Sequence, residues 1–231
     1  MIISLISDSH CKHKQITQDL PGGDLIIHAG DISSMGYTHE IKTFCDWYTK
    51  LYQYDTKIFI AGNHDFGFQD SPKEMTELLE SYPKLTYLQD DLYLLGEDYD
   101  NYEDRIKVYG SPWQPRFCNW AFNVDRGPDI KLHWDDIPVN TDILITHGPP
   151  FGTLDKVIGR TDNLGCEELA KRIHEIKPKI HVFGHIHSGY GYKFDGNTHY
   201  INASILNERY IYTQKPITID WDPITNQLKL L

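Results

Sequence analysis

Short apolar runs that stop abruptly in polar turns recur along the chain, and they predict buried β-strands. The run 58–60 is rich in β-favouring residues and is followed by Gly62-Asn63, residue types that favour a tight turn. Four further runs of this kind span residues 2–6, 25–27, 143–145 and 180–183. In open α/β sheets, ligands bind beyond the carboxyl ends of the strands, so functional side chains are expected in the turns after these runs.

The segments between the strands carry helical patterns. Apolar side chains at three- and four-residue spacing within 38–54 predict an amphipathic helix. The segment 71–82 opens on Ser-Pro-Lys-Glu, the pattern of a capping box with proline at the first helical position. A third helix is predicted within 165–178. In contrast, we interpret 12–23 as a polar connector and 110–128 as a long ordered loop.

The remaining apolar runs predict additional strands and complete the fold prediction. They span residues 85–88, 92–95, 106–109, 191–194, 199–203, 209–212, 217–221 and 227–230. Helix-separated strands in the first half and a strand-rich second half predict an α/β fold with two packed mixed β-sheets flanked by helices. A chain of 231 residues can bury one large core, so we expect a single domain over residues 1–231.

The composition narrows the range of partners. The chain has 33 acidic and 22 basic residues and a formal charge of −11, which repels long nucleic acid. No apolar run approaches the roughly 20 residues that cross a bilayer, and no signal peptide is visible, so no membrane partner is expected. The four cysteines form no CxxC pair, and a reducing, cytoplasmic location is expected. The oligomeric state stays open.

The turns after five of the predicted strands contain residue types that bind metals. The candidate ligands are Asp8, His10, Asp31, Asn63, His147, His185 and His187. Asp8 and His10 are two residues apart, as are His185 and His187, and in extended backbone this spacing places both side chains on one side. Carboxylate, imidazole and amide ligands without thiolate suit Mn²⁺, Fe or Zn²⁺. Seven ligands are too many for one ion with open positions, so two ions roughly 3.5–4 Å apart are predicted.

The same motifs carry a resemblance to a known family. The blocks Asp8-x-His10, Gly30-Asp31, Gly62-Asn63-His64-Asp65, Thr146-His147-Gly148 and Gly184-His185-x-His187 resemble the five signature blocks of the calcineurin-like metallophosphoesterases. Further blocks, Gly110-Ser111-Pro112-Trp113 among them, are similar to the metallophosphoesterase-domain (MPPED) subfamily. The resemblance covers nearly the whole chain and implies a four-layer sandwich.

The resemblance also implies roles for the individual residues. One ion would be held by Asp8, His10, Asp31 and His187, and the other by Asp31, Asn63, His147 and His185. Asp31 would be the bridge. His64 matches the family's non-ligand histidine, which stabilises the transferring phosphoryl group or protonates the leaving oxygen. Both histidines of the last block are present, so we expect an active enzyme with Mn²⁺ as its most effective metal in vitro.

Together these features predict a metal-dependent phosphodiesterase that cleaves small phosphate esters, cyclic nucleotides among the candidates. A hydroxide that bridges the two ions would attack phosphorus. A phosphomonoesterase, with protein or small-molecule substrates, is the alternative because the same metal pair would serve it. A non-catalytic scaffold is disfavoured because a scaffold has no need for seven metal ligands.

Three residues of the aromatic loop are candidate substrate contacts. Arg116, Asn119 and Trp120 are predicted to line a substrate pocket, with the indole as a stacking surface for a base. Packing within the loop explains its aromatic residues about as well. His28 lies within a predicted strand, and we interpret it as a packed or supporting histidine.

Overall fold

The computed structural model describes residues 1–96 and 105–231, and within them it contains two six-stranded β-sheets. The first sheet consists of β1 (Ile2–Ile6), β2 (Gly23–Ala29), β3 (Tyr54–Ile60), β4 (Thr86–Tyr87), β13 (Ile217–Asp222) and β14 (Gln227–Leu230). Its order is β14-β13-β1-β2-β3-β4. Strands β1 to β4 are parallel, and β13 and β14 extend the sheet in antiparallel fashion, so the sheet is mixed as predicted.

The second sheet has a similar parallel centre. It consists of β5 (Asp91–Leu95), β6 (Ile106–Ser111), β9 (Ile143–Thr146), β10 (Ile180–Phe183), β11 (Gly191–Phe194) and β12 (His199–Asn202). Its order is β11-β12-β10-β9-β6-β5, with antiparallel strands at both edges. A short parallel pair, β7 (Gln114–Pro115) and β8 (Asn123–Val124), lies in the aromatic loop.

The helices cover the outer faces of the sheets. They are α1 (Thr38–Tyr48), α2 (Phe66–Asp70), α3 (Pro72–Glu80), α4 (Pro128–Asp135) and α5 (Glu167–Ile176). In the described ranges, two 3₁₀ helices span His13–Asp19 and His187–Gly189. None of the helices in the described ranges is long and apolar enough to span a membrane.

The alternation of side chains along the strands produces four layers. Ile58 and Ile60 point into the core between the two sheets, where Val182 of the second sheet also lies. Phe59, between them in sequence, faces the opposite way and packs against Phe44 of α1 at a ring-centroid distance of 5.4 Å. A separate cluster joins the outer face of the second sheet to α4 and α5. The predicted two-sheet sandwich flanked by helices is therefore confirmed.

Several local predictions were wrong. The segment 12–23, interpreted as a polar connector, contains the 3₁₀ helix His13–Asp19. The helix buries His13 and Ile16, and Ile16 belongs to the apolar cluster that also contains side chains of α1. Helix α4 was not predicted, and α1 ends at Tyr48 rather than near residue 54. The capping box at Ser71 does not form, because this residue also ends α2 and its backbone N–H bonds to Gly67.

Candidate metal centre

The turns after β1, β2, β9 and β10 are joined to one another by hydrogen bonds at one edge of the molecule. The backbone N–H of Asp8 donates to the carbonyl of Gly30 at 2.9 Å, and that of His10 donates to Asp31 at 3.0 Å. The two sheets are linked there as well, since the N–H of His185 donates to the Asp8 carboxylate at 3.0 Å. This arrangement brings candidate ligands from both sheets into one cluster.

The two sheets can approach closely at Gly184 because this residue has no side chain. A Cβ atom at this position would overlap the carboxylate of Asp8 and the hydroxyl of Ser7. The hydroxyl of Ser204 donates a hydrogen bond to the same carboxylate at 2.7 Å. Asp8 is thus held in a fixed orientation by groups from both sheets.

The first half of the cluster surrounds the carboxylate of Asp8. The Nε2 atom of His187 lies 3.5 Å from Asp8 Oδ1, and these two residues form a tight group with His10. The Nε2 atom of His10 is buried and has no hydrogen-bond partner among the residues that the structure describes. A buried nitrogen without a partner is costly unless something else satisfies it, and a metal ion would do so here. The donor set therefore fits a divalent cation.

The second half surrounds the side-chain oxygen of Asn63. His147 Nε2 and His185 Nδ1 lie 2.9 Å and 2.8 Å from this oxygen. The other ring nitrogen of His147 donates to the carbonyl of Ala29 at 2.9 Å, which fixes the orientation of the imidazole. A carbonyl partner on the second nitrogen is typical of metal-binding histidines.

Asp31 lies between the two halves. Its Oδ2 atom is 3.6 Å from His10 Nε2 and 3.4 Å from His147 Nε2. Its Oδ1 atom accepts a hydrogen bond from the backbone N–H of His64 at 2.8 Å. The side chain is almost completely buried, so its charge acts in a medium of low dielectric constant.

The charges of the carboxylates change the pKa values of the nearby histidines. Burial by itself would lower the pKa of His147, but attraction to Asp31 raises it to about 9. The pKa of His187 is likewise raised to about 9, against the effect of burial, by Asp8. Burial lowers the pKa of His10 to about 4. Without an ion at neutral pH, His147 and His187 therefore carry the protons that balance the two carboxylates.

The backbone geometry differs from the one assumed in the sequence analysis. Asp8, His10, Asp31 and His185 all have positive φ angles, between 39° and 67°. Residues other than glycine rarely adopt this conformation, and it is frequent at functional sites. The explanation by extended backbone was therefore wrong: tight left-handed turns, rather than strand alternation, direct these side chains into the cluster.

His64 lies beside the cluster in a fixed orientation. Its Nδ1–H donates to the carbonyl of Ser34 at 2.8 Å, so this hydrogen bond does not occupy Nε2. The edge of His10 approaches the ring at a centroid distance of 4.6 Å. Asp65, the next residue, is buried and accepts hydrogen bonds from the backbone of Ile32 and Gly62, so it joins the turns after β2 and β3.

His28 has the supporting position that we expected. It is completely buried in β2, and its Nε2 atom lies 2.9 Å from the hydroxyl of Ser9. Ser9 separates Asp8 from His10. His28 therefore supports the turn that carries the candidate ligands Asp8 and His10.

The three candidate substrate residues are in different surroundings. A cavity of about 640 Å³ opens beside His185 and His187, and Arg116 contributes to its lining. Asn119 and Trp120 are not among the described residues that line this cavity. Asn119 is exposed to solvent, and Trp120 packs against His64 at a centroid distance of 4.0 Å.

Sequence reasoning missed several residues of this cavity. They are Phe117, Arg126, Val157, Leu164 and Tyr210. Tyr210 has a φ angle of 56°, and its ring lies 4.8 Å from that of His10 and 5.3 Å from that of His187. These residues come from separate loops, and no local pattern in the sequence connects them.

A two-sheet sandwich with carboxylate and imidazole side chains clustered at the strand ends defines the class of metal-dependent phosphoester hydrolases. Comparison with known proteins agrees with this class. Residues 1–189 match the family described as calcineurin-like phosphoesterase. The chain belongs to this family.

Individual relatives support the assignment. Human metallophosphoesterase domain-containing protein 1 is 39% identical over 236 residues, which cover 93% of this chain and 69% of that protein. Among solved structures, the protein TT1561 of Thermus thermophilus superimposes with a TM-score of 0.64, 13% identity, and coverage of 99% of this chain and 97% of that one. Phosphopantetheinyl hydrolase of Mycobacterium tuberculosis superimposes with a TM-score of 0.60 and 14% identity, and the match covers 99% of this chain and 95% of that one. At such low identities the two solved structures show a shared fold. The family match and the human relative confirm the resemblance predicted from the motifs.

Proposed function

We propose that this protein is a phosphodiesterase that acts through two divalent ions, with Asp31 shared between them. The observation that carries the proposal is the position of Asp31 Oδ2, within 3.6 Å of His10 Nε2 on one side and 3.4 Å of His147 Nε2 on the other. Asp8 and His187 complete the first ligand set. Asn63 and His185 complete the second.

The surroundings of the cluster fit hydrolysis of a phosphate ester. Bound divalent ions would attract the phosphate and lower the pKa of water to near neutrality. Asp8 and Asp31 would fix the positions of these ions because both carboxylates are buried and hydrogen-bonded. His64, whose Nε2 is not used by the hydrogen bond to Ser34, would stabilise the phosphoryl group or donate a proton to the leaving oxygen.

Metal binding should be stoichiometric and should release protons. Titration of the metal-free protein with Mn²⁺ is expected to end near two ions per chain. At least two protons should leave at pH 7, because His147 and His187, with pKa values near 9, must lose theirs to bind metal, and a water whose pKa the ions lower to near neutrality would release part of a third. Apparent affinity should accordingly rise with pH up to about 9. Calorimetry in two buffers of different ionisation enthalpy, with elemental analysis, measures both quantities.

A variant outside the cluster provides the control for this titration. His174→Ala removes an exposed histidine in the last turn of α5 and should leave both the ion count and the proton release unchanged. A folded preparation of the unmodified protein that consistently binds one ion or none would refute the dinuclear site.

The cavity beside the cluster supports a diester as substrate. A phosphodiester has a second ester group that a monoester lacks, and this group needs space next to the metal ions. The cavity lies beside His185 and His187, and its walls include the apolar side chains of Phe117, Val157 and Leu164. Its volume of about 640 Å³ lies within the range typical of small-molecule sites.

The charges around the cavity also support a diester as the substrate. The lining includes Arg116, Arg126 and Arg160, and each forms an ion pair with an acidic residue outside the lining. The cavity thus offers little uncompensated positive charge for a dianionic monoester. If such a substrate displaced the acidic partners, however, the same arginines would favour a phosphomonoesterase, which is the second candidate.

A comparison of substrates tests the proposal. With equal Mn²⁺ loading, bis-p-nitrophenyl phosphate and cyclic nucleotides are expected to be cleaved with a kcat/KM at least about tenfold above that of p-nitrophenyl phosphate, a difference of about 1.4 kcal/mol in transition-state stabilisation. A reversed ratio that survives Arg116→Ala would favour the phosphomonoesterase. Lys73→Ala, a change of an exposed residue on α3, is the control for removal of a positive charge.

A further inference from the structure

We infer that Trp120 is a positioning residue for His64 and is not a stacking surface for the substrate. The inference rests on the proposed function, because it concerns the histidine expected to act on the leaving group. The indole lies on the imidazole at a centroid distance of 4.0 Å and an interplanar angle of 31°. Since His64 occupies a face of the indole, a substrate base cannot stack on that face.

The backbone around Trp120 is tied to the turn that carries His64. The N–H of Ala121 donates to the carbonyl of Asn63 at 3.0 Å. The N–H of Phe122 donates to the side chain of Gln69, which lies in α2 directly after this turn. Trp120 is therefore attached to the same local structure as His64, although the two residues are 56 positions apart in the sequence.

The remaining contacts of His64 explain why a stacking partner matters. The hydrogen bond from Nδ1 to Ser34 fixes one point of the ring, but a planar ring can still turn about a single hydrogen bond. His10 meets the ring with an interplanar angle of 84° at 4.6 Å, an edge contact that limits motion on one side. The indole of Trp120 adds a tilted aromatic contact at a centroid distance of 4.0 Å, and a turn of the imidazole about the Ser34 hydrogen bond would lose the energy of this contact.

The position of Nε2 depends on that restriction. A general acid must lie within hydrogen-bonding reach of the atom that it protonates, and a displacement of about 1 Å can cost roughly 10²-fold in rate. If Trp120 holds the imidazole, its loss should reduce turnover and leave substrate affinity unchanged. If Trp120 instead contacts the substrate, its loss should raise KM.

Nuclear magnetic resonance of the metal-free protein tests the stack without reference to activity. The Cε1–H proton of His64, assigned by its disappearance in His64→Ala, should resonate upfield of that of the exposed His174 because of the indole ring current. Trp120→Leu should move it downfield, toward the value of His174, and Tyr52→Leu, a change of an exposed aromatic residue, should not move it. If the resonance does not move in Trp120→Leu, the inference is overturned.

Kinetics of the Mn²⁺-loaded protein with a 3′,5′-cyclic nucleotide, whose alkoxide leaving group needs a proton, test the consequence of the contact between Trp120 and His64. Trp120→Leu should lower kcat by about 2- to 12-fold, the range that corresponds to the energy of one aromatic pair, with KM unchanged. Trp120→Phe should recover part of the loss. In the His64→Ala background, Trp120→Leu should have no further effect, because its contribution acts through His64.

The opposite pattern overturns the inference. An increase in KM that persists in the His64→Ala background would show that Trp120 contacts the substrate directly. Absence of hydrolysis of any phosphate ester by the Mn²⁺-loaded protein would refute the proposed function. The resonance of His64 would still decide whether the stack exists, so the two failures are distinguishable.

Discussion

Replacement of Asp31 by alanine is expected to remove both metal ions and the hydrolytic activity. Its Oδ2 atom is within 3.6 Å of nitrogen atoms from both halves of the cluster, so its loss takes one ligand from each proposed ion. The loss of activity should exceed the roughly 10- to 100-fold typical of removing a group that only supports a ligand. Metal content by elemental analysis and kcat/KM with a diester substrate measure the two effects.

Two further variants separate ligation from folding. Asp31→Asn removes the charge but retains an oxygen that can accept the hydrogen bond from the backbone of His64, so it should weaken metal binding without disturbing that turn. Asp129→Ala removes an exposed carboxylate from the first turn of α4 and should leave metal content unchanged. Two tightly bound ions in folded Asp31→Ala would exclude Asp31 as the shared ligand.

The sequence predicted that the candidate ligands lie close together because its pattern is local. Each candidate ligand follows a short apolar run, and parallel strands of one sheet end at the same edge, so side chains such as Asp8 and Asp31 had to lie close together. The order of helices and strands predicted two packed sheets, but it did not show how the turns of the two sheets meet. That contact depends on the close approach at Gly184, which no local pattern reveals.

The segment 209–212 shows how side-chain hydrogen bonding overrides strand propensity. Its tyrosine and isoleucine residues favour a strand, but the side-chain oxygen of Asn207 accepts hydrogen bonds from the backbone of Arg209 and Ile211. The chain closes into a turn instead. This turn places Tyr210 against His10 and His187, a contact that propensity alone could not predict.

The roles of Arg116 and Trp120 illustrate the limit of reasoning from residue type. A tryptophan near a phosphate site indicates a stacking surface, but its partner depends on tertiary contacts. In the structure Trp120 packs against His64 at a centroid distance of 4.0 Å, with Phe66 farther away at 6.0 Å. Arg116 does line the cavity, and its ion pair with Asp125 joins residues nine positions apart across the aromatic loop.

Replacement of His64 by alanine is expected to leave both metal ions bound and to reduce turnover. The proposed ligand sets are complete without His64, whose Nδ1 is engaged by the carbonyl of Ser34. Loss of a general acid or of a group that stabilises the transition state typically costs about 10²- to 10⁴-fold. We expect kcat to fall by that factor while metal content and KM change little, as measured by elemental analysis and steady-state kinetics.

The geometry also provides a specific way for this expectation to fail. His64, His10 and Asp31 each have a potential ligand atom, and these atoms lie within 4.8 Å of one another, so His64 is itself close enough to bind a metal ion. Its hydrogen bond to Ser34 and its contact with Trp120 hold the ring in its present position. A substrate with a good leaving group needs little proton donation, so His64→Ala should impair p-nitrophenyl esters less than alkyl esters if the residue is an acid. Equal impairment of both, together with metal loss as severe as in Asp31→Ala, would instead identify His64 as a ligand.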